Sequence, residues 1–201
     1  MSKITNLSQL DLNGRYSYAD YLTWQFGDAL ELIRGKIMLM SPAPTSKHRR
    51  IVTHLGGQLY DFFRKRPCEL FYAPFDVRLY DRGKSVVAFQ EIYSVVQPDL
   101  CVICDKNKID ERGCSGAPDW VIETLSAGNS KLETQIKYQL YRESGVQEYW
   151  LVYPYEKAVH QFVRNPTADA YQLQAMYGED DTAIPALFPD CRIDLEDVFA
   201  E

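Results

Sequence analysis

Two short apolar runs, QPDLCVIC at 97–104 and PDWVIETL at 118–125, carry carboxylates where a buried strand normally has none. A charge placed in such a run is costly unless it is paired or coordinated. The acids concerned are Asp99, Asp119 and Glu123. Alternation puts Asp119, Val121, Glu123 and Leu125 on one face of their strand. At ~3.3 Å per residue, Asp119 and Glu123 lie roughly 13 Å apart, too far to share one cation with oxygen ligands at about 2.0–2.6 Å. Asp99 comes from the other run, and on a neighbouring strand ~4.8 Å away it can converge with Glu123 on one ion. The competing reading makes Asp99 an exposed turn residue after Pro98 and pairs Glu123 with an arginine.

The remaining chain supplies a frame for these runs. Residues 17–26 (SYADYLTWQF) read as a short helix ended by Gly27-Asp28, and ALELIRGKIMLM reads as a hairpin with arms 29–33 and 36–40 around Arg34-Gly35. Ser46 is a plausible N-cap for a helix over 47–65, with Ile51, Leu55, Leu59, Phe62 and Phe63 on one face and Pro67 as its stop. A strand is expected at 69–79, followed by the two acid-bearing runs. A helix over 131–143 carries Leu132, Ile136 and Leu140 on one stripe, and Gly145 ends it. EYWLVYP (148–154) and AVHQFVR (158–164) form a strand pair turning at 154–157. The predicted fold class is α/β (α+β): a mixed β-sheet flanked by helices, without an internal repeat.

A cation held by two carboxylates becomes a phosphodiester site when a fixed positive charge stands beside it. Lys137 is the candidate, one position off the apolar stripe of the helix that follows the Glu123 strand. Its alternative is a surface pair with Glu133, four residues earlier, worth about 0.3–0.5 kcal/mol. His48, at a helix start after SPAPTSK, can contact a phosphate or position water, and the cluster Lys47, His48, Arg49 and Arg50 is either a solvated charged face or a phosphate track beside the site. A second basic cluster, Arg64-Lys65-Arg66, marks the other end of that helix. His54 lies roughly 240° around the helix from His48 and forms no chelating pair with it, His160 has no acid or second histidine beside it, and a structural or surface role is expected for both.

Charge bears on whether a polyanion can be the substrate. The 201 residues carry a net −6, which argues against nonspecific phosphate binding. The acidity is uneven, however: after residue 165 stand nine acids against one base, so residues 1–165 carry +2. No apolar stretch approaches the ~18 residues of a membrane span, and the start lacks a signal-peptide core. A cytoplasmic chain without membrane association is the expectation. Its five cysteines, at 68, 101, 104, 114 and 191, are scattered and expected to be reduced. Cys101 and Cys104 point to opposite faces of their strand and are badly placed to chelate or pair with each other.

The order ALELIRGKIMLMSPAP, a helix with His48, QPDLCVI, APDWVIETLS and KYQLYRESGVQEYWLVYP resembles the Uma2 family over residues 17–165. Its most specific part runs from Pro118 to Pro154, with Lys137, then Tyr141, then Gly145-Val146-Gln147-Glu148-Tyr149-Trp150. The resemblance implies a restriction-endonuclease-like core of the PD-(D/E)xK superfamily over 1–165, with 166–201 an acidic C-terminal extension packed on the same domain. It implies a divalent metal, Mg²⁺ or Mn²⁺, on Asp99, Glu123 and the carbonyl of Thr124. It implies DNA as substrate, with Lys137 as the catalytic lysine and Glu31 as an acid drawn into the site. The chain departs from the superfamily pattern at Leu125, where lysine is expected. That departure and the acidic total charge leave a second function open, a nuclease fold kept as a dimeric binding or regulatory module with little or no catalysis. A homodimer is expected in either case, since EYWLVYP and AVHQFVR could supply a partner surface as easily as an internal core.

Overall fold

Two prolines divide the strands between two sheets. The computed structural model describes residues 4–25, 30–40, 44–80, 87–126, 131–165 and 167–200, with the side chains of 131–133 outside the description. In chain order its strands are β1 (Leu30–Ile33), β2 (Lys36–Leu39), β3 (Glu69–Tyr72), β4 (Val77–Leu79), β5 (Ser94–Val96), β6 (Leu100–Ile103), β7 (Ile109–Asp110) and β8 (Gly113–Ser115). There follow β9 (Trp120–Thr124), β10 (Glu148–Tyr153), β11 (Ala158–Asn165), β12 (Ala170–Tyr177), β13 (Thr182–Ala183) and β14 (Ile193–Asp194). The helices are α1 (Tyr18–Tyr21), α2 (Ser46–Phe63), α3 (Lys131–Ser144) and α4 (Leu195–Phe199).

One sheet runs β2-β1-β5-β4-β8-β7 and the other β12-β11-β10-β9-β6-β3, with β13 and β14 as a separate pair. The expected single strand at 69–79 is therefore two strands in different sheets, parted at Pro74, and the chain changes sheets again at Pro98 between β5 and β6. Proline has no N–H to give a ladder, so a strand reaching it cannot go on pairing with the same neighbour. The second sheet is mixed: β9 and β10 are parallel, whereas β6 and β11 pair antiparallel with them.

Alternation along β9 and β10 builds two cores. Trp120, Ile122, Trp150 and Val152 pack against Ile51, Leu55, Leu59 and Phe63 of α2. Val121, Tyr149 and Leu151 turn the other way, towards Val77, Leu79 and Val96 of the first sheet and Leu140 and Tyr141 of α3. The β1–β2 turn holds Arg34 at φ 53° and Gly35 at φ 82°, the left-handed pair a two-residue hairpin demands. Thr45, rather than Ser46, caps α2, its side chain accepting from the His48 N–H. The expected helix at 17–26 is one turn, capped by Ser17 with Asp20; Gly27-Asp28, its expected stop, lies outside the described residues, as does the Leu132 side chain.

One expectation is corrected by register. Cys68 and Cys104 form a disulfide with Cα atoms 4.0 Å apart, so reduced thiols hold only for Cys101, Cys114 and Cys191. The β3–β6 register, Glu69 opposite Ile103, sets the two cysteines directly across from each other one step further on. That pairing is set by tertiary register and leaves no spacing signal in the sequence. Of the two roles open to EYWLVYP and AVHQFVR, partner surface or internal core, burial of residues 148–152 in β10 and of Val159 and Gln161 in β11 gives them the core, although most of β11 is only partly buried. Among the described residues no helix is long and apolar enough to cross a membrane.

The segment after residue 165 is built into this frame. Ala183, Cys191, Ile193, Leu195, Val198 and Phe199 join the core under α2. Glu148, fully buried at the start of β10, accepts from Trp150 Nε1 at 2.7 Å, Gln161 Nε2 at 2.7 Å and the backbone N–H groups of Ala186 and Leu187 at 3.0 and 2.9 Å. Four donors on one carboxylate explain how a charge stays at the centre of a sheet. Glu148→Gln would turn an amide NH₂ towards those donors, and unpaired buried donors cost about 1–3 kcal/mol each. The expected result is a clear fall in urea midpoint with the urea dependence (m-value) unchanged; an unaltered midpoint would show that the four bonds contribute nothing net.

Candidate active site

The β6–β9 register places the acids. Leu100 pairs with Ile122 and Cys101 with Val121, so Asp99 stands opposite Glu123 one step before the paired residues. Directly opposed residues of an antiparallel pair have Cβ atoms about 4.5–5.5 Å apart. The ladder is continued by a side chain, since the Thr124 N–H donates to Asp99 Oδ2 at 2.8 Å. Asp99 is thus fixed to the neighbouring strand and is not a loose turn residue. Asp119 goes elsewhere, as its spacing predicts: it accepts from the Cys104 N–H at 2.8 Å and from Gln147 at 2.9 Å, tying β6 to the entry of β10.

Lys137 reaches the acids from α3. Its Nζ lies 3.0 Å from Glu31 Oε1 and 3.0 Å from Glu123 Oε1, with all three side chains largely buried. The alternative of a surface pair with Glu133 therefore does not describe this lysine. Glu31 comes from β1 in the first sheet and Glu123 from β9 in the second, so the ammonium joins the two sheets. Tyr141, one turn after Lys137 on the same helix face, donates to Glu123 Oε1 at 2.6 Å. No site role was assigned to Tyr141 from the sequence, although its i+4 spacing from Lys137 was the available signal.

These neighbours set the protonation states. Burial raises the Glu123 carboxyl, Lys137 opposes that rise, and Asp99 and Glu31 add to it, leaving the group at about 7. Burial alone would lower the Lys137 ammonium, but Glu123 and Glu31 outweigh it and hold the charge well above the usual lysine range. His48, on the first turn of α2, places Nε2 3.2 Å from Asp99 Oδ2. Burial lowers its pKa, whereas the hydrogen bond and charge of Asp99 raise it, and the net shift is upward. His48 thus meets a carboxylate, while Arg49 and Arg50 beside it are exposed.

The other histidines and the second basic cluster lie outside this group. His54 Nδ1 is 2.7 Å from the Asp197 carbonyl oxygen, and His160 packs on Tyr153. Arg64 pairs with Asp61, and Arg66 with Asp190 of the C-terminal segment.

Glu31, His48, Gln97, Asp99, Glu123 and Lys137 line a cavity of about 100 Å³, room for several waters. Its donors are mainly oxygens, the set suited to Mg²⁺ or Mn²⁺. Among the described residues no three His, Cys, Asp or Glu side chains are grouped tightly enough to enclose an ion by themselves. A pair of carboxylates completed by carbonyls and water fits the habit of Mg²⁺, which keeps much of its hydration shell. The side-chain hydroxyl of Thr124 is buried at this cavity without a hydrogen-bond partner.

Comparison with known proteins agrees with this architecture. The Uma2 family, described as "Putative restriction endonuclease", matches residues 18–196. That match runs past residue 165 and takes in most of the segment expected to lie outside it. A crystal structure of "a putative nuclease belonging to DUF820" from Anabaena variabilis ATCC 29413 superposes with a TM-score of 0.67 at 22% identity, covering 92% of this chain and 98% of that one. At that identity the likeness is one of fold. No curated protein matches the chain. With a family match over nearly its whole length and the same fold in a solved structure, the chain belongs to the Uma2 family.

Proposed function

We propose that this chain is a metal-dependent endonuclease that hydrolyses DNA phosphodiester bonds. The observation that carries the reading is the placement of Lys137 between Glu31 and Glu123, with Glu123 opposite Asp99. Asp99, Glu123 and the Thr124 carbonyl would hold Mg²⁺ or Mn²⁺. A bound divalent ion supplies Lewis-acid activation of water and of the phosphoryl oxygen.

The protein's own groups do the remaining work. An ammonium has three N–H donors, and two are taken by Glu31 and Glu123, which leaves one for an attacking water or a phosphate oxygen. Glu31 orients Lys137 from the other sheet, so the charge is fixed before substrate arrives. Thr124 N–H and His48 hold one oxygen of Asp99 and leave the other for the cation. Exposed Arg49 and Arg50, with Lys47 on the same turn, form the phosphate track. The cluster at the far end of α2 is a poorer track, because acids already neutralise Arg64 and Arg66.

The binding-module reading drew on Leu125, which lacks the expected charge. Lys137 delivers an ammonium to the acids from α3 instead, which supports the catalytic reading. Supercoiled plasmid should be nicked with Mg²⁺ or Mn²⁺ and not with EDTA. Asp99→Ala and Lys137→Ala should each slow nicking by about 10²-fold or more. Variants as active as the parent would refute the assignment.

A pH dependence follows from Glu123. Its carboxyl rises from 4.5 to about 7 on folding, so between those values the folded chain holds a proton that the unfolded chain has released. The stabilisation from this group is complete below pH 4.5 and is lost as pH rises through about 7. A divalent cation requires the deprotonated carboxylate. Saturating Mn²⁺ should therefore raise the melting temperature more at pH 8 than at pH 6; a pH-independent increment would contradict Glu123 as ligand.

We also assign a homodimer. Within the described strands β12 pairs with β11 on one side, and it exposes Leu173 at 49% and Met176 at 65%, which are apolar contacts for a second copy. Sedimentation at micromolar concentration should give twice the 23.2 kDa chain mass, and Leu173→Lys with Met176→Lys should give the monomer.

A further inference from the structure

The oxygens that Asp99 and Glu123 can give a cation are few. Asp99 Oδ2 already accepts from the Thr124 N–H and faces His48, and Glu123 Oε1 already accepts from Lys137 and Tyr141. A fourth acid would add negative charge to a site that already holds three carboxylates against one ammonium. A neutral carbonyl oxygen adds a hard ligand without that cost.

Gln97 is placed to be that ligand. It lies two residues before Asp99, at the end of β5, and lines the same cavity as Glu31, Asp99 and Glu123. Its backbone N–H donates to Glu31 Oε1 at 2.8 Å, so its main chain is tied to the acid that orients Lys137. Its side-chain Nε2 donates to Asp76 Oδ1 at 2.8 Å. A carboxylate accepts and cannot donate, so this bond fixes which end of the amide is nitrogen and turns Oε1 to the opposite side.

Asp76 is firmly held. The Tyr21 hydroxyl also bonds its side chain, and its backbone carbonyl accepts from the Cys114 N–H at 2.8 Å. Gly113 packs so close that an added Cβ would sit 2.1 Å from the Asp76 carbonyl oxygen.

We infer that Gln97 supplies a neutral amide oxygen to the divalent cation, with Asp76 as the positioning residue that turns that oxygen towards Asp99 and Glu123. This assignment rests on the metal-dependent reading above. It places the metal's surroundings partly in the first sheet, beyond the Asp99–Glu123 pair of the second.

Calorimetric titration of the full chain with Mn²⁺, with melting of each variant in EDTA, tests it. Gln97→Met keeps the length of the side chain and removes the oxygen, and should weaken Mn²⁺ binding about tenfold. Asp76→Asn combined with Gln97→Glu exchanges donor and acceptor, keeps the side-chain pair and presents a carboxylate oxygen to the ion. It should bind Mn²⁺ at least as tightly as the parent. Should Gln97→Met melt in EDTA well below the parent, the double variant decides: tight binding supports the ligand role, and binding much weaker than the parent's refutes it. Equal affinities for parent and Gln97→Met overturn the Gln97 assignment alone. Absence of Mn²⁺ binding by the parent overturns the metal reading and this one with it.

Discussion

The ammonium of Lys137 lies where β1 of one sheet, β9 of the other and α3 come closest, 3.0 Å from an acid on each strand. Burying three charges this deeply is unfavourable in isolation, and removing any one strands the others. The arrangement therefore depends on all three elements at once. Glu31 also holds the backbone of Gln97, Glu123 also receives Tyr141, and Asp99 is fixed through Thr124, so each acid of the cavity has a fixed partner besides the lysine. The raised pKa of Glu123 expresses the same constraint, because burial and two further acids press on a carboxyl that only one cation relieves.

Much of this was legible in residue order. The rise per residue along a strand separated Asp119 from Glu123 and made Asp99 the partner, and the structure opposes Asp99 and Glu123 across adjacent strands. The hairpin at Arg34-Gly35 and the apolar stripe of α2 follow from local chemistry, and both are present. What local reading missed depends on pairing between distant segments. Nothing in ELFYAPFDVRL announces that its halves belong to different sheets, although Pro74 marks the place. Cys68 and Cys104 meet because Glu69 faces Ile103, a fact of register across 36 residues of chain. Lys137 could have been a surface residue by its spacing alone, and its partners became visible only when β1 was brought beside α3.

Charge is laid out along α2. Lys47, Arg49 and Arg50 stand at its start next to the cavity, whereas the acid-rich segment after residue 165 packs along its other end and pairs with Arg66. The helix thus runs from a basic end beside the cavity to a neutralised one. The net charge of −6 describes neither region, since it averages a weakly basic body with an acidic final segment.

Glu148 draws its partners from distant parts of the chain. Its strand lies in the middle of the second sheet, yet two of its four donors come from Ala186 and Leu187, almost forty residues further on. Without those residues the central carboxylate keeps only the donors of Trp150 and Gln161. The four-donor site around Glu148 is therefore complete only when a segment far beyond its own strand is in place.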